Sequence, residues 1–307
     1  MKAKSIFKSL LYYVHLGRIP TIRGPIISLP TEGSHEAPKD IVSSQRAFNS
    51  ILRQIPLVIN HPNPQLVRQI LVLLRPLNVI GKTLIRRGHN ADGGYVMLDD
   101  HIDNTVAYSL GISDEISWDL DMARSGCQVF QYDHTIQRAP RVHPNLHFSR
   151  IGIAGRSSAD GVFKSLSDLI HENGNDGRSD MILKMDIEGS EWSVIRELPQ
   201  STLNQFSHVL IEWHFDFHEI AGVDSLGLVL STLEKINASH QVIHVHANNC
   251  GRMAVVAGVS IPEGIEVTYA RRNGYLFEEC KKVYPTPLDR PNDPNMPDYI
   301  LGAFGQL

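Results

Sequence analysis

Between residues 105 and 271 the chain alternates short apolar runs with stretches in which apolar residues recur every three or four positions. Val106 to Leu110, Cys127 to Tyr132, Leu146 to Ile153, Met181 to Met185, Val209 to Trp213, Val242 to His246 and Val267 to Arg271 are short and mostly apolar, as strands buried on both faces are. Helical spacing separates them. Ile116, Leu120 and Ala123 form one stripe, with Ser113 as its cap and Gly126 as its stop; others run from Val162 to His171, from Ser190 to Leu198 and over 224–236. Seven strands alternating with helices predict an α/β fold with a doubly wound, mostly parallel seven-stranded sheet.

Upstream of that block, Leu66, Ile70, Leu71 and Leu74 predict a helix at about 64–75, and Asp92-Gly93-Gly94 marks a turn before a strand at Tyr95 to Leu98. Six prolines between Pro20 and Pro62 make 20–63 an extended lead-in with room for a short helix near 42–54. Prolines recur from Pro285 to Pro297, so the end of the chain reads as an irregular surface segment. The expected organisation is a lead-in over 1–79, a domain over 80–280 and a tail over 281–307. In the first 18 residues Lys2, Lys4 and Lys8 flank Ile6, Phe7, Leu10 and Leu11. That stretch is too short to span a bilayer and carries no small-residue cleavage site. It suits a docked or frayed terminal helix, or contact with a membrane surface.

Composition narrows the function. A formal net charge of −4 argues against a nucleic-acid binder. Three widely spaced cysteines, Cys127, Cys250 and Cys280, match no metal or redox pattern and suit a reducing compartment. The expected location is cytoplasmic, with the basic terminus allowing peripheral membrane contact.

The chemistry gathers at strand ends. Met181-Ile182-Leu183 runs into Lys184, Asp186 and Glu188 and then into Gly189. Ligands of open α/β sheets sit beyond the carboxyl ends of such strands. Asp186 ends the fourth strand, Glu212 and His214 the fifth, and His244, His246, Asn248 and Asn249 the sixth. A doubly wound sheet makes these tips neighbours around one crevice. In the first half, Gly111 follows the first strand and Asp133 ends the second, about twenty residues later, where nucleotide folds place a ribose-binding acid. His134 stands beside it. The GxGxxG loop of dinucleotide folds is absent, which argues against NAD.

KMDIEGSEW at 184–192, together with HVHANN at 244–249 and DGGYVML at 92–98, resembles the signature of FkbM-type methyltransferases. That resemblance covers most of residues 80–250. It implies a class I, Rossmann-like methyltransferase fold, S-adenosylmethionine (SAM) as cofactor, and methyl transfer to a hydroxyl oxygen of a small molecule or glycan. On this reading Gly111, Asp133, His134 and Asp186 hold the cofactor. Asp186, Glu212, His214 and His246 serve catalysis, with His214 or His246 as the base. Asp186 and Glu212 can instead hold Mg²⁺. Asn248, Asn249 and Arg87 face the acceptor, and the segment from Arg86 to Gly94 closes over the site.

Plainer roles compete. Asp186 can cap a helix, Glu191 and Arg196 fit a solvated helix face, Trp192 fits a core, and Asn248-Asn249 fits a turn. His214 and His218 pair as ligands only on a helix. Two other functions use the same residues: a metal-dependent hydrolase built on Asp186, Glu212, His214 and His246, and a SAM-binding protein without activity.

Overall fold

The computed structural model describes residues 55–61, 63–100, 102–217 and 223–305. The basic terminus, the helix expected near 42–54 and His218 lie outside the described residues. In chain order the elements are β1 (Leu57–Ile59), α1 (Pro64–Leu73), β2 (Leu77–Val79), β3 (Leu84–Arg87), β4 (Tyr95–Leu98), β5 (Val106–Leu110), α2 (Ser117–Arg124), β6 (Gln128–Tyr132), β7 (Leu146–Ser149), β8 (Gly152–Ile153), β9 (Phe163–Lys164), α3 (Leu166–Glu172), β10 (Met181–Met185), α4 (Glu191–Glu197), α5 (Gln200–Leu203), β11 (Phe206–His214), α6 (Val223–Asn237), β12 (His240–Val256), β13 (Val259–Arg271) and β14 (Phe277–Glu279).

The central sheet has eight strands in the order β1-β12-β13-β11-β10-β5-β6-β7. β7, β6, β5, β10 and β11 are parallel, and β13 runs antiparallel between β11 and β12. The order reverses between β5 and β10, the switch point at which such sheets bind ligands. The expected seven strands are therefore joined by an eighth, β1, which pairs parallel to the far end of β12. Val67, Ile70 and Leu71 of α1 are buried in the main core, so residues 57–73 pack as part of this sheet structure.

Side-chain alternation decides which face carries the chemistry. Met181, Leu183 and Met185 of β10 and Val209, Ile211 and Trp213 of β11 join the larger core with α1, α3, α4 and α6. Ala107, Ile182 and Leu210 point the other way, against Trp118 and Met122 of α2 and Tyr95 and Met97 of β4. Burying each such side chain contributes about 1.5–3 kcal/mol. Lys184 and Glu212 follow Ile182 and Leu210 by two, so they share the face covered by α2 and the β3–β4 hairpin.

Several expected elements differ: the strand expected from Leu146 to Ile153 splits into β7 of the central sheet and β8, which pairs with β9 at the start of the helix expected from Val162. β12 continues through the Asn248-Asn249 stretch read as a turn and reverses only at Ala257 and Gly258, whose φ values of 50° and 82° make a two-residue hairpin loop. Its polar second half is a half-solvated antiparallel strand. α2 starts at Ser117, four residues after the expected cap. Ser113 instead adopts a φ of 47° and donates its backbone N–H to Asp133.

At the switch point, the Gly111 N–H donates to the Tyr132 carbonyl at 2.9 Å and the Asp186 N–H to the Leu110 carbonyl at 3.0 Å. Gly111 has a φ of 77°, and a Cβ there would overlap the Asp186 carbonyl oxygen. The glycine thus lets two strand ends touch, and the space where its side chain would stand is filled by the Asp186 backbone. Gly111→Ala is expected to lower stability by more than about 2 kcal/mol, from the left-handed backbone and the overlap together. Urea denaturation of the variant against the parent measures it.

Candidate active site

Strand register builds the site. Met185 pairs with Ile211, which sets Asp186, one residue past the end of β10, beside Glu212 on β11. Glu212 faces Glu266 of β13, and Glu266 faces His246 of β12. After Asp186 the chain turns through Glu188 and Gly189, with φ values of 58° and 101°. Glu191 then folds back. Its two carboxylate oxygens accept the N–H groups of Ile187 at 2.7 Å and Gly189 at 2.9 Å. Glu191 is fully buried, not solvated as its place in the helix suggested.

His214 closes the group. Its Nδ1 lies 3.2 Å from Glu191 Oε1, and its Nε2 lies 3.9 Å from Asp186 Oδ1 and 3.7 Å from Glu212 Oε1. Asn248 donates to Glu212 Oε1 at 2.6 Å. Gly264 of β13, opposite both His214 and Asn248, leaves room for the Glu212 carboxyl: a Cβ there would come within 2.7 Å of Oε1. Trp192 donates its indole N–H to the His214 carbonyl at 2.7 Å and stacks on Trp213 with centroids 4.1 Å apart. Asp186, Glu191 and His214 offer ligand atoms within 4.8 Å of one another, a spacing that fits one divalent ion.

Burial pushes the Asp186 carboxyl up to about 6, against the pull of His214 and Lys184. Burial and then Asp186 hold Glu212 well above the usual carboxylate range. Burial alone would lower His214, but Glu191, Glu212 and Asp186 outweigh it and stabilise the imidazolium. At neutral pH the group therefore holds protons on His214 and toward Glu212, with Asp186 closest to its transition.

The other half of the candidate site lies at the ends of β5 and β6. Asp133 is buried; its Oδ2 accepts the Ser113 N–H at 2.8 Å, and its Oδ1 accepts the Thr135 N–H and hydroxyl, both at 2.7 Å. Burial would raise this acid, but these bonds win and lower it. A carboxylate has about four acceptor positions. Three are used, so there is room for one ligand hydroxyl, not the two that a free carboxylate could take. His134 is exposed and lies against Phe163, ring centroids 4.9 Å apart, beside Gly152 at the edge of the sheet.

One half of this site falls within a stretch that matches a known family. Residues 163–249 match the family model of the methyltransferase FkbM domain. The match runs from β9 to Asn249 and so contains Lys184, Asp186, Glu191, Glu212, His214 and Asn248. The chain is also similar to the probable methyltransferase-like protein 24 of Homo sapiens, 29% identical over 131 residues, covering 38% of this chain and 35% of that protein. It is 29% identical over 184 residues to the Rattus norvegicus protein of that name, covering 49% of this chain and 50% of the relative. The chain thus spans between about a third and a half of the length of these relatives. The mostly parallel sheet is the Rossmann-like arrangement that the FkbM resemblance implied.

Within the FkbM match, two expected site residues stand elsewhere. His246 is buried two strands from Glu212, about 10 Å at the usual strand spacing. Its Nδ1 lies 3.1 Å from Glu266 and its Nε2 3.2 Å from Asp298. Burial works against its charge, yet Glu266 and Asp298 raise it to about 10. Both nitrogens are occupied and protonated, so it cannot take a proton from an acceptor. The Asn249 amide donates to the carbonyls of Asp293, Met296 and Pro297 and accepts from the Asp293 N–H, which fastens the tail. Outside the match, Arg87 reaches Ser125 at the end of α2 and Asp99 after β4. The tail is irregular, as expected, but not confined to the surface. Asp289 pairs with His244 at 2.7 Å, and Asn292 donates to Glu266 at 2.7 Å and to Asp92 at 3.3 Å. Asp298 and Glu191 carry no local signal: one contacts a residue 52 positions away, and the other bonds backbone N–H groups on its N-terminal side.

Two outcomes follow. Glutamine at 191 offers one carbonyl oxygen to two N–H groups. Glu191→Gln is expected to cost about 1–3 kcal/mol and to lower the His214 pKa, read by ¹H–¹⁵N NMR titration of the imidazole. His246 is raised from an ordinary value of 6.5 to about 10; its stabilisation is full below the unfolded value and lost as pH climbs through the folded one. Thermal stability is expected to fall between pH 7 and pH 10, and His246→Gln to flatten that slope.

Proposed function

We propose that this chain is a SAM-dependent methyltransferase that acts on a hydroxyl oxygen of a small molecule or glycan, with the crevice between the Asp133 loop and the Asp186–His214 group as its active site. The observation that carries this reading is the juxtaposition of an FkbM match at β10 and β11 with a nucleotide-type half at β5 and β6 across the switch point. The donor set suits SAM: Asp133 has one acceptor position for a ribose hydroxyl, His134 and Phe163 offer ring faces at the adenine side, and the acids around Asp186 suit a sulfonium. Bound SAM supplies an electrophilic methyl group.

The chain's own residues then orient the acceptor and move its proton. Asp186, at about 6, is ionised at neutral pH and is the better base. His214 is held as an imidazolium and acts as a charge and a hydrogen-bond donor. This reassigns the base from the histidines to the acid. Asp186, Glu191 and His214, whose ligand atoms lie within 4.8 Å of one another, would hold a divalent ion; such an ion would lower the pKa of a bound hydroxyl. Mixed oxygen and imidazole ligands favour Mn²⁺ or Zn²⁺ over Mg²⁺. No helix of the described residues is long and apolar enough to cross a membrane.

Calorimetric titration with SAM and with its demethylated product tests the cofactor, and no heat with either would sink the proposal. With isotopically labelled methyl donor and cell extract, Asp186→Asn is expected to lower label transfer by about 100-fold or more at saturating SAM. Repeating the assay with chelator, then with added Mg²⁺, Mn²⁺ or Zn²⁺, decides the metal.

A further inference from the structure

Lys184 is the least expected residue on the site's face. It sits mid-sheet on β10, in register with Ser109 of β5 and Leu210 of β11, and only 3% of its surface is exposed. Its ammonium lies 5.3 Å from the centroid of the Tyr95 ring on the hairpin above. Among the described residues it has no hydrogen-bond or ion-pair partner. Its charge reaches Glu115 in the loop after β5, Asp119 on α2 and Asp186 at the end of its own strand. Register, burial and the Tyr95 contact place Lys184 on the sheet face beneath the β3–β4 hairpin, two residues before Asp186.

Nearby cations are engaged at most of their nitrogens, with Arg86 Nη1 and Arg87 Nε buried without a partner. His214 and His246 face carboxylates, Arg86 donates to the carbonyls of His89 and Ala91, and Arg87 reaches Asp99. A buried ammonium with three unused protons is costly unless an acceptor completes it. The walls around it are acidic. They suit the sulfonium and amino group of SAM and oppose its carboxylate, which needs a positive partner.

We infer that Lys184 receives the carboxylate of the cofactor's amino acid end. This rests on the SAM reading above and adds a binding residue to it. The competing role is a plain counter-ion to Asp119, whose Oδ1 accepts from Gln131 at 2.9 Å and whose Oδ2 is buried without a partner. A counter-ion would support the fold without distinguishing one ligand from another.

The test compares SAM with decarboxylated SAM, which keeps the sulfonium and the amine, by calorimetry on the whole chain. The parent protein is expected to bind SAM more tightly than the decarboxylated form. Lys184→Met is expected to weaken SAM by about 10- to 100-fold and to leave decarboxylated SAM within about twofold; Lys184→Arg keeps most of the preference. Equal weakening of both ligands by Lys184→Met assigns the lysine to Asp119 and overturns the inference. So does a parent protein with no preference between the ligands, a result that needs no variant to fold. A parent that binds neither ligand removes the SAM reading itself, a different failure from binding SAM without using Lys184.

Discussion

Carboxylates cannot be lined up across adjacent strands, out of water, unless something compensates each one. Glu212 and Glu266 are directly opposed on β11 and β13, Asp186 is next along, and the two glutamates are almost fully buried. Like charges in this position repel across roughly 5 Å in a medium of low dielectric. Each therefore has its own relief. Glu212 has the Asn248 amide and a bias toward its protonated form. Glu266 has His246 on one oxygen and Asn292 on the other. Asp186 has the charges of His214 and Lys184. The relief comes from β10, β11, β12 and the tail, so the packing of these segments is a consequence of the row of acids. Breaking one buried partner of this kind typically costs about 3–5 kcal/mol.

The same demand separates two histidines with similar sequence surroundings. His246 has a carboxylate on each nitrogen, and its proton is spent on holding β12, β13 and the tail together. His214 is anchored by one nitrogen only; the other faces Asp186 and Glu212 at distances too long for a good hydrogen bond. A ring fixed on one side and open toward two acids can take up a metal ion or a substrate oxygen without dismantling the fold. One imidazole is thus committed to the fold at both nitrogens and the other at one, a difference set by what lies across the strand and not by the residue type.

This explains how far the sequence could be read. The parallel strands β5 and β10 were legible to the residue, because buried strands are unbroken apolar runs bounded by glycine or charge. The neighbouring positions of Asp186 and Glu212 were legible because both follow apolar runs of adjacent parallel strands. The second half of β12 was not, since half-solvated antiparallel strands mix Asn, Cys, Gly and Arg as loops do. Glu191 was misread because an acid in the first turn of a helix looks solvated unless the preceding glycine is known to turn the chain beneath it. Asp298 and Asn292 were illegible for a different reason: their partners lie across the sheet, and no local pattern encodes a contact made by an irregular tail.

Asp133 carries the argument to the cofactor side. An acid free in solution would have to reorganise to grip a ribose, and that ordering would be lost from the binding energy. Here three of its acceptor positions already hold Ser113 and Thr135, so the carboxylate is fixed before any ligand arrives. The left-handed turn at Ser113 that permits this also delays the start of α2 and lengthens the loop after Gly111. A longer loop without the GxGxxG pattern leaves no tight anion nest at the helix start. Such a half-site disfavours a pyrophosphate, and it is compatible with the proposed SAM, which has no phosphate.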